Sequence, residues 1–513
     1  MALARTRSMA LIGVDGHIVE IEAHLGDGPA GVTIVGLPDT ALREARDRIR
    51  AAVVNSGEQW PEGHITISLS PASLPKRGSG FDLAIAAAVL AAEGAAPAMP
   101  LHSAVVMAEL GLDGRTRAVS GVLPAVLAGT RCGCRTFVVA RGNAAEAGLV
   151  PGVEVVAVSS LSDLLARLRG EPSSEPFAEE DGSAPARDDP ADAADARKPD
   201  LADVLGQPVA RRAVEVAAAG GHNLMMIGPP GTGKSLLAER LPTVLPQLSS
   251  EESIEVTAVH SAADMLPDRS PLIVDPPFCA PHHTATRAAI VGGGSTRLRP
   301  GCVSLAHRGA LFLDEAPEFA RGVLDSLRQP LETGEVTVAR SAATVRFPAR
   351  FLLVLAANPC PCGKAGNACT CSSTQRRRYL ARLSGPLLDR VDLKVELLPV
   401  AHAELLADRA YAESSATVAE RVAKARGRAT ARLAGTPWNT NAAVPGAELR
   451  RRFPVAPAAM RVLATALERG EISARGLDRS LRVSWTLADL AGRPEPTTED
   501  TAYAYALWTG RAQ

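Results

Sequence analysis

Very little in this chain is one-sided. Lysine and arginine number 55 against 56 aspartate and glutamate, a net charge of −1. That balance excludes a globally basic nucleic-acid coat but leaves room for a local basic channel. Long apolar runs are missing. The Ala-rich stretch Ala84–Ala95 is broken by Glu93 and Gly94 and follows Asp82, so it falls short of the ~20 apolar residues a membrane span needs. No apolar run of signal-peptide length precedes Asp15, and a cytoplasmic protein without a membrane partner is expected. Cysteine is sparse too. Eight in 513 residues are too few for a disulfide scaffold, so their positions matter more than their number. No internal repeat is present.

The length predicts roughly two to four domains, each able to bury its own core. One composition break divides the chain. Glu171–Asp200 holds ten acids and three bases, with proline at 172, 176, 185, 190 and 199 and almost no large apolar residue. Such a segment cannot offset its ordering entropy by burial and reads as a flexible linker. The expected division is therefore 1–170, a linker over 171–200, a second unit over 201–400 and a helical unit over 401–513. In the first unit Ile18–Ala23, Val32–Val35, Ile65–Leu69, Val105–Leu112 and Phe137–Ala140 read as strands, with helices over Thr40–Ser56 and Phe81–Ala92. The fold class is α/β: a P-loop core preceded by an α+β domain.

Gly228-Pro229-Pro230-Gly231-Thr232-Gly233-Lys234-Ser235 satisfies G-x-x-x-x-G-K-[ST] between an apolar strand, Asn223–Ile227, and a helix from Lys234. Glycines let backbone N–H groups approach phosphate oxygens, and the following helix points its positive end at the same anion. Lys234 would reach the β- and γ-phosphates of ATP and Ser235 would ligate Mg²⁺. About eighty residues on, Ala310-Leu-Phe-Leu-Asp-Glu315 is an apolar strand ending in two acids. Asp314 would hold Mg²⁺ through water, and Glu315 would activate the attacking water. A third strand, Phe351–Ala357, ends in Asn358. That amide either orients the lytic water or makes a turn before Pro359.

Longer motifs carry a family resemblance. Pro276-Pro-Phe-Cys-Ala-Pro-His-His283, Val291-Gly-Gly-Gly-Ser295, Ser304-Leu-Ala-His-Arg-Gly309, Leu327-Arg-Gln-Pro-Leu-Glu332, Asn358-Pro-Cys-Pro-Cys-Gly363 and Ser384-Gly-Pro-Leu-Leu-Asp-Arg-Val-Asp392 closely resemble the magnesium-chelatase-like AAA+ ATPases called ComM or YifB. Val35–Thr40 and Ser473–Ala491 extend the resemblance to nearly the whole chain. It implies a homo-hexameric ring with nucleotide between subunits. Arg390 then resembles an arginine finger aimed at a neighbour's γ-phosphate, the alternative being an ion pair with Asp389 or Asp392. Arg482 resembles the lid arginine that senses the γ-phosphate, with Arg475 and Arg479 close by on the same helix. Glu335–Ala349 alternates like a hairpin with Arg340-Ser-Ala-Ala343 at its turn, and the resemblance places such a hairpin in the ring's pore. Arg340 and Arg346 would then touch DNA phosphates, a contact that positions without reading sequence; otherwise they are solvated hairpin arginines. Arg376–Arg378 and Arg450–Arg452 add local positive charge to a neutral chain.

Cys360, Cys362, Cys369 and Cys371 fall within twelve residues. They read either as ligands of a structural Zn²⁺ or as free, redox-sensitive thiols. His282 and His283 read either as structural residues or as ligands. The first unit resembles the proteolytic domain of Lon, which uses a Ser–Lys dyad. Here Gly80 stands where the serine would be and Ala125 where the lysine would be, so a non-proteolytic module is expected. The leading expectation is an ATP-driven ring acting on single-stranded or branched DNA, a helicase or branch-migration motor in homologous recombination during natural transformation. The alternative is a chelatase-like or chaperone-like machine that remodels a protein partner.

Overall fold

The computed structural model describes residues 2–36, 39–172, 199–267, 271–294, 298–340, 343–364, 369–400, 408 and 412–512. Most of the expected linker lies outside them.

The first sheet has seven strands: β1 (Ala2–Ile12), β2 (Asp15–Gly26), β3 (Gly31–Val35), β4 (His64–Ser70), β5 (Ala104–Met107), β6 (Thr136–Ala140) and β7 (Glu154–Val158). Their order is β3-β4-β2-β1-β5-β6-β7. The long strand β1 escaped the sequence reading because Arg5, Arg7 and Ser8 dilute its apolar residues. It pairs over its whole length with β2, and both lie inside the sheet. Alternation then serves two cores. Ala4, Ala10, Val19 and Ile21 face one cluster, while Met9 belongs to the other and Leu11 and Ile18 pack against it, as expected of strands covered on both faces. Helix α1 (Thr40–Asn55) and helix α2 (Asp82–Glu93) join the first cluster; Leu83–Leu90 are fully buried. Burial all round explains why α2 is apolar on every face. Helix α3 (Val122–Arg131) covers the other side, and α4 (Leu161–Arg169) closes the unit.

The second sheet is wholly parallel. Strands β8 (Leu224–Ile227), β9 (Phe278–Cys279), β10 (Ala310–Leu313), β13 (Leu352–Ala357) and β14 (Leu393–Glu396) run in the order β9-β10-β13-β8-β14. All six residues of β13 are buried, so its run of leucine, valine and alanine needs no alternation. Helices α5 (Pro208–Gly220), α6 (Lys234–Val244) and α7 (Ser250–Ala263) belong to this unit. Strands β11 (Glu335–Arg340) and β12 (Ala343–Pro348) form the expected hairpin.

The two units meet along α7 and the hairpin. Ala258 of α7 enters the α3 core, and buried Glu146 bonds both the Leu123 amide and the Ser261 hydroxyl. The hairpin turns its apolar face, Val336, Val338, Val345 and Phe347, inward. A Cβ at Gly13 would lie 2.2 Å from Val345 Cγ1, so the β1–β2 turn rests directly on the hairpin.

Helix α8 (Ser373–Leu380) follows β13. The C-terminal residues form α9 (Ser415–Arg432), α10 (Gly446–Arg452), α11 (Pro457–Glu468), α12 (Ala474–Leu490) and α13 (Thr498–Thr509). Among the described residues, no helix is long and apolar enough to cross a membrane.

Candidate nucleotide site

A parallel sheet delivers every strand's carboxyl end to one edge, and three neighbouring strands deliver the site there. Strand β8 leads into Gly228–Ser235, β10 into Asp314 and Glu315, and β13 into Asn358. Gly231 and Gly233 take φ of 79° and 90°, a left-handed conformation costly for any residue with a Cβ. Interleaved with right-handed residues, such glycines turn successive N–H groups toward a common anion. Gln207 secures the loop through the Thr232 and Leu398 carbonyls, at 3.3 and 2.8 Å. Helix α6 begins at Lys234.

Lys234 is nearly buried. Its Nζ donates to the Gly228 and Pro229 carbonyls at 2.6 and 2.8 Å and to Asn358 Oδ1 at 3.2 Å. Burial pulls its pKa down, and Asp314 and Glu315 partly oppose that. The Ser235 hydroxyl donates to Asp314 Oδ2 at 2.7 Å. A hydroxyl and a carboxylate this close form a hard-oxygen pair suited to Mg²⁺, and the loop's glycines and lysine suit a polyphosphate. The donor set therefore fits Mg-ATP.

Glu315 sits at φ 48°, a strained position for a non-glycine residue and a common signature of functional sites. Its carboxylate lies 3.5 Å from His283 Nδ1, and the His282 and His283 rings stand 4.1 Å apart. The sequence leaves this pair either structural or ligating and says nothing of a contact with Glu315. The site partner was hidden because His283 arrives from a loop more than thirty residues upstream.

Arg390 and Arg482 do not join this constellation. They line a separate cavity with Arg475 and Arg479, and no phosphate-loop residue borders it. Arg390 pairs with Glu332 and donates to the Pro386 carbonyl, so neither Asp389 nor Asp392 is its partner. Those acids go to Arg475, at 3.2 Å, and Arg479, at 2.6 Å. Asp392 is buried. Burial would raise its pKa, but Arg479 and His222 outweigh that and hold it far below the usual range. Arg482 donates Nε to the Val444 carbonyl at 2.7 Å, and burial, then Arg479, pushes it down to about 10.

Arg346 is exposed on the hairpin's outer face; the Arg340 side chain and the turn residues 341–342 lie outside the described residues. Arg376, Arg377 and Arg378 are exposed on α8. The four clustered cysteines bring their sulfurs within 4.8 Å of one another. Cys279 and Cys302, scattered in sequence, are also neighbours, and the Cys302 thiol raises that of Cys279. Gly80 and Ala125 line one cleft between the two units. Ser79, in that cleft, donates to Glu109, while Lys76, buried outside its lining, donates to the Pro71 carbonyl, so these two groups form no Ser–Lys pair.

Three family descriptions match the chain: magnesium chelatase, subunit ChlI, over residues 200–405; subunit ChlI of Mg-chelatase over 21–143; and the ChlI C-terminal region over 412–507. An uncharacterized protein of Mycobacterium tuberculosis is 52% identical over 508 residues, 99% of each chain. YifB of Salmonella typhimurium is 42% identical over 96% of this chain and 94% of its own. The competence protein ComM of Haemophilus influenzae is 42% identical over 96% and 95%. With near-complete coverage and the phosphate-loop geometry in agreement, the chain belongs to the ComM/YifB family of magnesium-chelatase-like AAA+ ATPases.

Proposed function

We propose that this protein is an ATP-hydrolysing ring motor that acts on DNA in the cytoplasm. The observation that carries the ATPase part is the set of contacts Ser235–Asp314 and Lys234–Asn358, with Glu315 next in chain, at one sheet edge. Bound ATP would supply the phosphoanhydride whose cleavage drives the motor. Lys234 would leave its carbonyl partners for the phosphates, and Ser235 and Asp314 would hold Mg²⁺. Glu315 would accept the proton of the attacking water, which Asn358 orients.

In a homo-hexamer Arg390 and Arg482 would serve a neighbour's nucleotide. Their separation from their own phosphate loop supports that assignment, as does the gathering of four arginines around one cavity. A guanidinium offered in trans neutralises charge that develops at transfer and couples turnover to subunit contact.

The DNA reading rests on the exposed Arg346 and Arg376–Arg378 and on the competence protein among the relatives. Arg340 is placed with Arg346 on the hairpin that would line the pore. We read 1–170 as a Lon-like, non-proteolytic module, 201–400 as the ATPase domain and 401–513 as its helical lid. A second reading, a chelatase-like machine acting on a protein, is favoured by the family descriptions themselves.

ATP turnover of the full chain with single-stranded, duplex and three-way-branched DNA separates the two, with Glu315→Gln as control. Stimulation by DNA that vanishes in the variant supports the motor, and preference for the branched substrate points to branch migration. Turnover indifferent to every DNA overturns that reading in favour of a protein client.

A further inference from the structure

The turn after Asn358 holds four thiols that the hydrolysis scheme does not use. Cys360 Sγ lies 3.2 Å from Cys362 Sγ and 3.4 Å from Cys369 Sγ, with 3.7 Å between the latter two. Cys371 completes a set whose sulfurs all fall within 4.8 Å. A tetrahedral zinc with bonds of about 2.3 Å spaces its sulfurs roughly 3.8 Å apart. A disulfide requires two sulfurs at about 2.05 Å and leaves other thiols outside the bond. Three sulfurs at near-equal separations, with a fourth beside them, suit one shared ion better than any pairing. Soft thiolates select zinc, iron or copper(I) over magnesium, so this set does not compete with the Ser235–Asp314 pair for its metal.

The surroundings say what such an ion would tie together. The first two cysteines sit on a tight turn closed by the Gly363 amide donating to the Cys360 carbonyl at 3.1 Å, with Gly363 at φ 69°. A Cβ on Gly363 would lie 3.0 Å from Pro230 Cγ, so the turn rests on the phosphate loop itself. Cys369 and Cys371 approach from the other side, just before the capping box Ser372–Gln375 that opens α8. That helix carries the exposed Arg376, Arg377 and Arg378.

We propose that Cys360, Cys362, Cys369 and Cys371 bind one Zn²⁺ in a closed tetrathiolate site that clips the start of α8 to the phosphate loop. Four protein ligands leave no open position, so the ion is structural and takes no part in the chemistry. Its role is mechanical. Movement of Pro230 or Asn358 is handed to the arginines of α8 through a rigid clip instead of a loose loop. The zinc assignment is independent of the DNA reading, since metal content is measured without any nucleic acid.

The full-length protein, purified without chelator, is analysed for zinc, iron and copper by mass spectrometry. About one zinc per chain is expected, falling to near zero in Cys362→Ser and in Cys371→Ser. Because a variant can lose metal by misfolding, wild-type protein is also stripped with a thiol-reactive mercurial, reduced and titrated with Co²⁺. An intense thiolate-to-cobalt band, displaced by Zn²⁺, supports the site. Hydrogen exchange on the wild type reads the clip: amides of residues 360–364 and 369–372 slow when zinc is restored. Protein free of metal whose four thiols all react with a thiol reagent, with no cobalt band, overturns the proposal. Iron in place of zinc overturns it as well.

Discussion

The phosphate loop and the arginine cavity hold the two halves of one proposed reaction, yet they are built differently. At the loop, three adjacent strand ends bring Lys234 into hydrogen-bond reach of Asn358, and Ser235 into reach of Asp314. In the cavity, Arg390, Arg475, Arg479 and Arg482 come from a loop and from α12, and three of them already pair with Glu332, Asp389 and Asp392. Not all four are equivalent. Arg479 has a buried acid to answer, whereas Arg482 donates to a backbone carbonyl. A site whose groups satisfy each other can work within one chain, while a cavity walled by four guanidinium groups suits an anion brought from outside.

The largest effect should come from the loop side. Glu315→Gln removes the proposed base and should lower steady-state turnover by about 10²–10⁴-fold while sparing nucleotide binding, as followed by phosphate release and a fluorescent ATP analogue. If turnover survives, the comparison breaks at its first half. Next comes Arg390→Ala, for which roughly a 10³-fold loss is expected. Mixing it with Glu315→Gln should restore part of the activity, because an intact Glu315 and an intact Arg390 then meet across a subunit boundary. No recovery on mixing would place Arg390 in its own chain's site.

Arg479→Ala should act on stability instead. It strands the buried Asp392 and should cost about 3–5 kcal/mol in denaturant unfolding. The sign with pH follows from the depressed Asp392. Its contribution is complete above the unfolded carboxylate pKa of about 3.9 and is lost as pH falls below that. The gap between wild type and variant should therefore narrow in acid. A catalytic loss without destabilisation would move Arg479 into the same class as Arg390. The smallest effect is expected for His283→Ala. Its contact with Glu315 is half-exposed and long, and an exposed pair contributes about 0–1 kcal/mol, so turnover should fall less than about fivefold. A larger loss would make His283 a positioning residue for the base.

Local signals were legible where one short stretch contains the whole requirement. The glycine pattern of Gly228–Ser235, the apolar runs ending at Asp314 and Asn358, and the alternation of the 335–348 hairpin all emerged with the expected element type. The four cysteines lie within twelve residues and converge for the same reason. Legibility failed where strength comes from partners far away. β1 was overlooked because its polar residues obscure a strand that owes its place to pairing with β2. The alternative for Arg390, an ion pair with the adjacent Asp389 or Asp392, gives way to Glu332 because ion pairs follow space and not sequence.

By itself, then, the sequence determined the glycine loop with its following helix, the apolar strands that end at Asp314 and Asn358, and the α/β class. Each depends on backbone freedom, strand-length apolar runs and strand-end polarity, which are local properties. Only the tertiary structure decided that His283 stands beside Glu315, that Glu332 holds Arg390, and that the β1–β2 turn rests on the hairpin. Those contacts join residues separated by tens to hundreds of positions. Their energy comes from shared burial and charge, which no short stretch of chain contains.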